Sequence, residues 1–459
     1  MPSKARKSVA IWAQLPAVPC EVIRDFAIGR RYPAAVKRCF LPVVALAASI
    51  LSPVLSTTAA TLQAGDYVAI CGDSITEQKT YSAYIEEYLI ACQPAPDLQA
   101  SQFGWGGETS WGFLERMEND VLRFKPNVAT LCYGMNDGDY SKTKPDRLEQ
   151  FTNALTGIVE KFKAAGVREI VVGSPGAVDT TSFKGALFRP STPEEYNRTL
   201  SDFANAAKKV AQEQNVTYAD LLGPMLEVMA KMKEKYGKDY LLIGDDGIHP
   251  KEAGHLIMAY AFLKALGCKG EIGTIVFDAS KGQATASEGH KVLSASRNAV
   301  RLESTRYPFC FEGDPAKPEA TSGVIEFLPF NEDLNRFLLV IKNVPVGTKS
   351  VKVTWGTETR EFTPAEVSKG INLAAEFLTN PFSGPFKQVH EAVLRQQRYE
   401  TPMMKDLLHF VPEWKKNLGE QAAPFDDFIQ NMITIDQELR KAAVASVVPV
   451  EHEIGIAFK

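Results

Sequence analysis

The feature that most constrains this chain is the stretch from Val68 to Thr76, Val-Ala-Ile-Cys-Gly-Asp-Ser-Ile-Thr, in which an apolar run ends abruptly in Gly72, Asp73 and Ser74. An apolar run of this length predicts a buried strand, and the small polar triplet predicts the turn that leaves it. Such a turn can lift one hydroxyl clear of the backbone at the edge of a sheet. The triplet alone is weak evidence, because Gly-Asp-Ser is expected by chance in roughly one chain in ten of this length.

Apolar strands and amphipathic helices alternate from Tyr67 to Gly267. This alternation predicts a parallel sheet covered by helices on both faces, which is an α/β fold of three layers. Strands are expected at 67–71, 98–103, 127–133, 169–172 and 216–219, and helices around 82–92, 110–123, 145–164, 193–213 and 251–266. In such sheets, functional sites form beyond the carboxyl ends of the strands.

Three candidate residues follow three successive predicted strands: Ser74 the first, Gly107 the second and Asn136 the third. The intervals between them are each about 30 residues, which matches one βαβ unit. Gly107 lies in the glycine-rich segment 103–109, whose backbone N–H groups can face an anion. Asn136 lies in Gly-Met-Asn-Asp, which places an amide just past a strand end, although such residues are also common in turns. All three should therefore emerge at one edge of the sheet.

The fourth motif, Gly-Asp-Asp-Gly-Ile-His-Pro at 244–250, precedes a predicted amphipathic helix. Pro250 suits the first helical position, so His249 lies in the turn ahead of the helix. Asp246, three residues earlier, can reach a ring nitrogen of His249 within one turn of chain. Asp245 is the alternative carboxylate for that contact. None of the other five histidines has a carboxylate at this offset in a glycine-containing loop at the end of an α/β unit.

These four blocks, in this order, resemble the SGNH or GDSL hydrolase family over about 200 residues, and the run Asp-Gly-Ile-His-Pro is similar to secreted bacterial members. The resemblance implies a flavodoxin-like α/β/α sheet and a serine esterase that needs no metal or other cofactor. It also implies a catalytic triad of Ser74, Asp246 and His249. The implied oxyanion hole comprises the N–H groups of Ser74 and Gly107 and the side-chain amide of Asn136.

Two positions depart from the family pattern, since Gln102 and Glu108 stand where many members have Asn and Asp. Neither position carries a catalytic atom in the family, so the departure concerns the orientation of the Gly107 turn. Trp105 and Trp111 flank this turn and are candidate substrate-lining residues that could stack on a sugar or wall an acyl pocket. Aromatic residues near a sheet edge more often belong to the core.

The first 60 residues differ from the rest, with eight Lys or Arg against Glu21 and Asp25. Within them a basic pair at 37–38 precedes an apolar run at 40–56 and then small residues up to Ala60. This order predicts a secretory signal peptide at about residues 37–60, and hence a secreted or periplasmic protein. A retained membrane anchor is the alternative.

Loss of that segment removes eight basic and two acidic residues and takes the formal charge from -4 to -10. Such an acidic protein is a poor candidate for binding nucleic acid or an anionic membrane. The expected partner is a small-molecule or carbohydrate ester, with no stable membrane partner after cleavage and the oligomeric state left open. The five remaining cysteines lack metal-ligand spacing. Their number and positions are more typical of buried free thiols than of a disulfide framework.

Four segments are expected along the chain. A leader and signal peptide occupies 1–60 and the catalytic domain 61–269. Short alternating stretches, including 337–342 and 350–354, predict a small antiparallel β domain at 270–370. Helical spacing then returns and predicts a helical extension at 371–459. This extension could bind carbohydrate, cover the site or, as we favour, stabilise the fold.

The resemblance thus implies an exported serine esterase that hydrolyses short-chain esters, acetyl esters on carbohydrate among them, through an acyl-enzyme. A lysophospholipase or thioesterase that prefers longer acyl chains is an alternative in the same class. A catalytically inactive carbohydrate-binding protein is the alternative from a different class, because fold and motif do not fix the substrate.

Overall fold

The computed structural model describes residues 60–185, 191–314, 317–318 and 320–459 of the 459-residue chain. The predicted signal peptide lies outside these ranges, apart from Ala60. Within the described ranges, no helix is both long enough and apolar enough to cross a membrane.

Five parallel strands form the first sheet, in the order β2-β1-β3-β4-β5. They are β1 Tyr67–Gly72, β2 Gln99–Gly104, β3 Val128–Cys132, β4 Glu169–Gly173 and β5 Thr217–Ala219. The strands are buried along nearly their whole length, as expected when helices cover both faces. The predicted parallel α/β sheet is confirmed.

The helices around this sheet connect its strands. They are α1 Ser74–Glu77, α2 Tyr81–Glu87 with its continuation Tyr88–Cys92, α3 Ser110–Asp120, α4 Pro145–Ala164, α5 Pro193–Glu213, α6 Leu222–Tyr236 and α7 Glu252–Ala265. The sequence patterns missed α1, which is a single turn, and α6. Val68 and Ile70 of β1 pack in the core with α2 and α7, whereas Ala69 and Cys71 pack with α3 and α4. This alternation is the period of two that a strand between two helical layers requires.

Two further sheets follow the first. One has four strands in the order β13-β10-β6-β7, and the other has five in the order β12-β11-β14-β9-β8. Their strands are β6 Glu271–Asp278, β7 Gln283–Ala286, β8 His290–Ala295, β9 Ala299–Ser304, β10 Arg336–Lys342, β11 Val351–Trp355, β12 Glu358–Phe362, β13 Ile371–Asn372 and β14 Val450–Phe458. The pairs are antiparallel except β6 with β10, which is parallel. The predicted β-rich region is present, and β14 from the end of the chain lies between β9 and β11.

The remaining helices belong mostly to the C-terminal part of the chain. They are α8 Phe330–Leu334, α9 Pro364–Lys369, α10 Leu373–Glu376, α11 Ser383–Pro402, α12 Val411–Leu418 and α13 Ala423–Ala445. A helical turn, Met403–Leu407, joins α11 to the residues before α12. The predicted C-terminal helices are confirmed.

Helix α11 covers β2, which is the edge strand of the parallel sheet. The side chain of Gln396 donates to the carbonyl oxygen of Ala100 over 2.8 Å, and Glu400 accepts the N–H of Gln102 over 2.9 Å. Side chains of the helix therefore satisfy backbone groups that an edge strand leaves unpaired. This contact brings the C-terminal part of the chain close to the end of β2, where Gly107 follows.

Candidate active site

Ser74 opens the single turn α1 directly after β1, and its side chain is half-buried. The carboxylate of Asp73 caps this turn by accepting the N–H of Ile75 over 3.0 Å. A Cβ at Gly72 would lie 2.1 Å from Thr76 Oγ1, so glycine is required where the strand meets the turn. The apolar run and the polar triplet thus place the Ser74 hydroxyl at the carboxyl edge of the sheet.

Ser74, His249 and Asp246 form a continuous chain of contacts. Ser74 Oγ lies 2.8 Å from His249 Nε2, and His249 Nδ1 lies 2.6 Å from Asp246 Oδ2. The structure thus brings together three residues that the sequence places up to 175 positions apart. Asp246, and not the neighbouring Asp245, makes the contact to the imidazole.

The turn before α7 fixes the carboxylate of Asp246. Its Oδ1 accepts the backbone N–H groups of Ile248 and His249, over 2.9 and 3.0 Å. Partial burial opposes ionisation, but these hydrogen bonds and the His249 ring outweigh it and lower the pKa of Asp246 below its usual range. An ionised Asp246 can accept a hydrogen bond from Nδ1–H, and this tautomer leaves Nε2 free to accept the Ser74 proton.

Gly107 lies in the tight turn Trp105–Glu108, where the N–H of Glu108 donates to the carbonyl oxygen of Trp105 over 3.1 Å. Its φ of +74° favours glycine, and a Cβ at this position would meet no atom within 4 Å. The backbone N–H groups of Ser74 and Gly107 have no hydrogen-bond acceptor among the residues that the structure describes. Two donors at the carboxyl edge of the sheet are thus available to an external acceptor.

Asn136 follows β3 and points its amide towards the same edge. Its Nδ2 donates to the carbonyl oxygen of Glu108 over 3.0 Å and lies 3.4 Å from Asp73 Oδ2. Its Oδ1 accepts the Tyr140 hydroxyl over 2.8 Å, which fixes the side-chain amide in one orientation. Sequence reasoning missed Tyr140; its offset of four residues from Asn136 is the signal that could have indicated it.

Asp137, the next residue, links two elements at the carboxyl edge of the sheet. It belongs to the Gly-Met-Asn-Asp motif, but its sequence position indicated no role for it. It is buried, its Oδ1 accepts the N–H and hydroxyl of Ser110 over 2.8 and 2.5 Å, and its Oδ2 accepts the N–H of Gly134 over 2.9 Å. Burial raises its pKa, although these hydrogen bonds act in the opposite direction. Asp137 therefore ties the start of α3 to the end of β3.

The two departures from the family pattern both have partners in the fold. Gln102 Oε1 accepts the N–H of Gly104 over 3.0 Å, and its Nε2 donates to Thr401 Oγ1 over 2.7 Å. Glu108 is buried and pairs with Arg116 over 2.5 and 2.8 Å. Burial raises the pKa of Glu108, against the opposing effect of Arg116. Gln102 thus reaches the C-terminal part of the chain, and Glu108 anchors the turn to α3.

Both candidate tryptophans are half-buried and contact charged side chains. The Trp105 ring lies 5.0 Å from the Arg116 guanidinium, 5.0 Å from Lys405 Nζ and 4.8 Å from the His409 ring. Trp111 instead lies 5.3 Å from the Arg147 guanidinium and lines a shallow cavity of about 420 Å³ against α4. Trp105 therefore packs between α3 and the C-terminal part of the chain, and Trp111 faces α4.

The arrangement supports acyl-transfer chemistry. A hydroxyl in contact with an oriented imidazole can be deprotonated for nucleophilic attack. Backbone N–H groups and an amide beside that hydroxyl can stabilise negative charge on a carbonyl oxygen. In the part of the chain that the structure describes, no three His, Cys, Asp or Glu side chains are grouped so as to hold a metal ion.

Comparison with known proteins places these residues in a family. Residues 70–257 match the model of the GDSL-like lipase/acylhydrolase family. An acetylxylan esterase of Geobacillus stearothermophilus is 24% identical over 217 residues, which are 44% of this chain and 91% of the relative.

One solved structure shares the fold beyond the matched domain. A gut microbial diltiazem-metabolizing enzyme has a TM-score of 0.67 at 21% identity, over 87% of this chain and 99% of its own. The crystal structure of the Geobacillus stearothermophilus acetylxylan esterase Axe2 is 24% identical over 45% of this chain and 95% of its own, with a TM-score of 0.38. Residues 70–257 thus form a domain of the GDSL-like lipase/acylhydrolase family, and this match together with the acetylxylan esterase relative supports a carboxylic ester hydrolase.

Proposed function

We propose that this protein is an exported serine esterase that removes short acyl groups, acetyl among them, from carbohydrate. The observation that carries the proposal is the chain of contacts from Ser74 Oγ to His249 Nε2 at 2.8 Å and from His249 Nδ1 to Asp246 Oδ2 at 2.6 Å. It lies beside two backbone N–H groups at the carboxyl edge of the sheet. Export is supported by the order of basic, apolar and small residues at about 37–60.

The proposed reaction gives each of these residues a defined role. His249 takes the proton of Ser74 as the hydroxyl attacks the ester carbonyl, and Asp246 stabilises the imidazolium that forms. The N–H groups of Ser74 and Gly107 and the amide of Asn136 stabilise the oxyanion of the tetrahedral intermediate. His249 then protonates the leaving alcohol, and water attacks the acyl-enzyme by the same route in reverse.

The acetyl-carbohydrate substrate is proposed by analogy with the acetylxylan esterase relative. In the domain organisation that we propose, residues 61–269 form the catalytic domain, and 270–370 and 371–459 form the β-rich region and the helical extension. A preference for long acyl chains would instead favour a lysophospholipase or thioesterase.

The test is hydrolysis of chromogenic esters, from acetyl to decanoyl, by the full chain and by its Ser74→Ala variant. Ser201→Ala is the matched control, because the Ser201 hydroxyl donates to the Asn197 carbonyl oxygen of its own helix over 2.9 Å. We expect turnover that falls with chain length, disappears in Ser74→Ala and persists in Ser201→Ala. Turnover that rises with length would replace the short-chain assignment. Folded protein without Ser74-dependent turnover, but with binding to polysaccharide, would replace the esterase with a carbohydrate-binding protein.

A further inference from the structure

A polar link joins the C-terminal part of the chain to the Gly107 turn, and the proposed chemistry does not use it. Lys405 lies in the helical turn Met403–Leu407 that follows α11. Its Nζ lies 2.6 Å from Glu77 Oε1, and the other carboxylate oxygen of Glu77 accepts the N–H of Gly106. One carboxylate thus bridges the C-terminal extension and the residue that immediately precedes Gly107.

Neighbouring contacts hold Lys405 in place. Met404 is buried, and its Sδ lies 3.3 Å from Arg116 Nη1. Asn119 Nδ2 donates to the carbonyl oxygen of Leu408 over 2.9 Å. Because α3 anchors this segment on both sides of Lys405, its ammonium is presented to Glu77 by a supported stretch of backbone rather than by a free tail.

The pair of Lys405 and Glu77 is partly withdrawn from solvent, with side chains 21% and 23% exposed. The Lys405 ammonium also lies 5.0 Å from the centroid of the Trp105 ring. Ion pairs on an open surface contribute little to a structure because water and salt screen them. This pair is screened less, so loss of the Lys405 charge should change the position and the electrostatic effect of the Glu77 carboxylate.

Glu77 is the last residue of α1, the turn that begins with Ser74. A Cβ at Gly106 would lie 2.8 Å from Glu77 Oε2 and 4.0 Å from Ser74 Cβ, so Gly106 is close to both this carboxylate and the serine. A negative charge at that place would oppose an oxyanion that develops beside Gly107. The Lys405 ammonium counters this charge while leaving the carboxylate in place to accept the Gly106 N–H.

We propose that Lys405 is a positioning residue for ester hydrolysis. It holds and neutralises Glu77, and Glu77 in turn fixes Gly106 so that the Gly107 N–H stays directed at the reacting carbonyl oxygen. This inference rests on the proposed esterase function and gives the C-terminal extension a part in catalysis. It differs from the expectation that the extension only stabilises the fold.

The test compares Lys405→Met, Lys405→Arg and the control Lys415→Met. Lys415 pairs with Asp426 within the extension, away from the Gly107 turn. We expect Lys405→Met to lower kcat about tenfold or more, up to the roughly 10²-fold that a misplacement of 1 Å can cost, with KM nearly unchanged. Lys405→Arg keeps the charge and should remain within about threefold of the wild type. Lys415→Met should leave both constants unchanged.

A double variant separates charge from general destabilisation. In Glu77→Gln/Lys405→Met the pair is neutral and one side-chain oxygen remains to accept the Gly106 N–H. If Lys405 acts by neutralising Glu77, the double variant recovers part of the kcat that Lys405→Met loses. Losses that simply multiply would show that the two residues act independently, and would overturn the proposal.

Hydrogen exchange of the backbone amides in residues 103–109 provides a readout that needs no substrate. Lys405→Met should speed exchange there, and Lys415→Met should not. Unchanged exchange together with kcat within twofold of the wild type overturns the positioning role. If the wild type itself shows no Ser74-dependent turnover, the proposed function fails, and unchanged exchange then separately refutes the contact of Lys405 with the turn.

Discussion

The hydroxyl of Tyr140 donates to Oδ1 of Asn136 over 2.8 Å and thereby points the Asn136 amide nitrogen towards Ser74's edge of the sheet. In the proposed site, this contact would set which end of the amide faces a bound ester. The proposed donor is then held in place before substrate binds, which is the condition under which an oxyanion donor contributes most to rate.

Replacement of Asn136 by Ala should lower kcat by roughly 10²- to 10³-fold, because one preorganised donor to the oxyanion is lost. KM should change little, since the contact is strongest in the transition state. Steady-state kinetics on an acetyl ester measure both constants. Tyr140→Phe is a milder variant and should lower kcat only severalfold, because it releases the Asn136 amide from one hydrogen bond without removing it. A loss under threefold in folded Asn136→Ala would remove Asn136 from the site.

Asp246→Asn should reduce kcat by at least about 10²-fold, whereas Asp245→Asn should leave it nearly unchanged. The amide cannot stabilise an imidazolium and favours the wrong tautomer of His249, a change that costs about 10⁴-fold where the carboxylate is fully buried. A smaller loss is expected here because the Asp246 side chain is 49% exposed. Kinetics of the two variants side by side measure the difference. The reverse order of activities would transfer the orienting role to Asp245.

Gly107→Ala should lower kcat strongly and should lower the free energy of unfolding only modestly. The new Cβ has open space, so the change acts through the φ of +74°, which costs a non-glycine residue about 1–2 kcal/mol. Relief of that strain would turn the Gly107 N–H away from the oxyanion. Urea unfolding measures the stability, and ester turnover measures the activity. Gly112→Ala in α3 is the control, since its Cβ would make only ordinary contacts, with Glu108 Cγ the nearest atom at 3.5 Å. Equal effects of the two variants would count against the oxyanion role of Gly107.

His390 should stabilise the fold in a manner that weakens at alkaline pH. Its Nδ1 lies 2.7 Å from Glu87 and 2.9 Å from Glu312. Burial alone would lower the pKa of His390, but these two carboxylates outweigh it and raise the pKa to about 10. The imidazolium is therefore favoured in the folded state.

Because the folded pKa lies above the unfolded value of about 6.5, this stabilisation is complete below about pH 6.5 and disappears as pH rises towards 10. We expect His390→Gln to lower the unfolding free energy by about 1.5–3 kcal/mol at pH 6 and by much less at pH 10. Urea unfolding of wild type and variant across this range measures the difference. A difference that stays constant with pH would show that folding does not raise the pKa of His390.

The local patterns of the sequence determined the parallel sheet and the placement of the site. The apolar run ending at Ser74 and the intervals to Gly107 and Asn136 each depend on contacts within one βαβ unit, so period and spacing were sufficient to predict them. The turn containing Asp246 and His249 is also local, with the partners only three positions apart. These elements were predictable because short-range geometry constrains them strongly.

Only the tertiary structure decided what surrounds that site. The contact of Lys405 with Glu77 joins residues 328 positions apart, and that of Glu400 with Gln102 joins residues 298 apart. The hydrophobic periodicity of the sequence does not predict such pairs, because they depend on how α11 packs against the edge strand β2. The same holds for β14, which joins a sheet begun more than a hundred residues earlier. The sequence therefore determined which residues lie at the edge of the sheet, and long-range packing determined how the rest of the chain surrounds them.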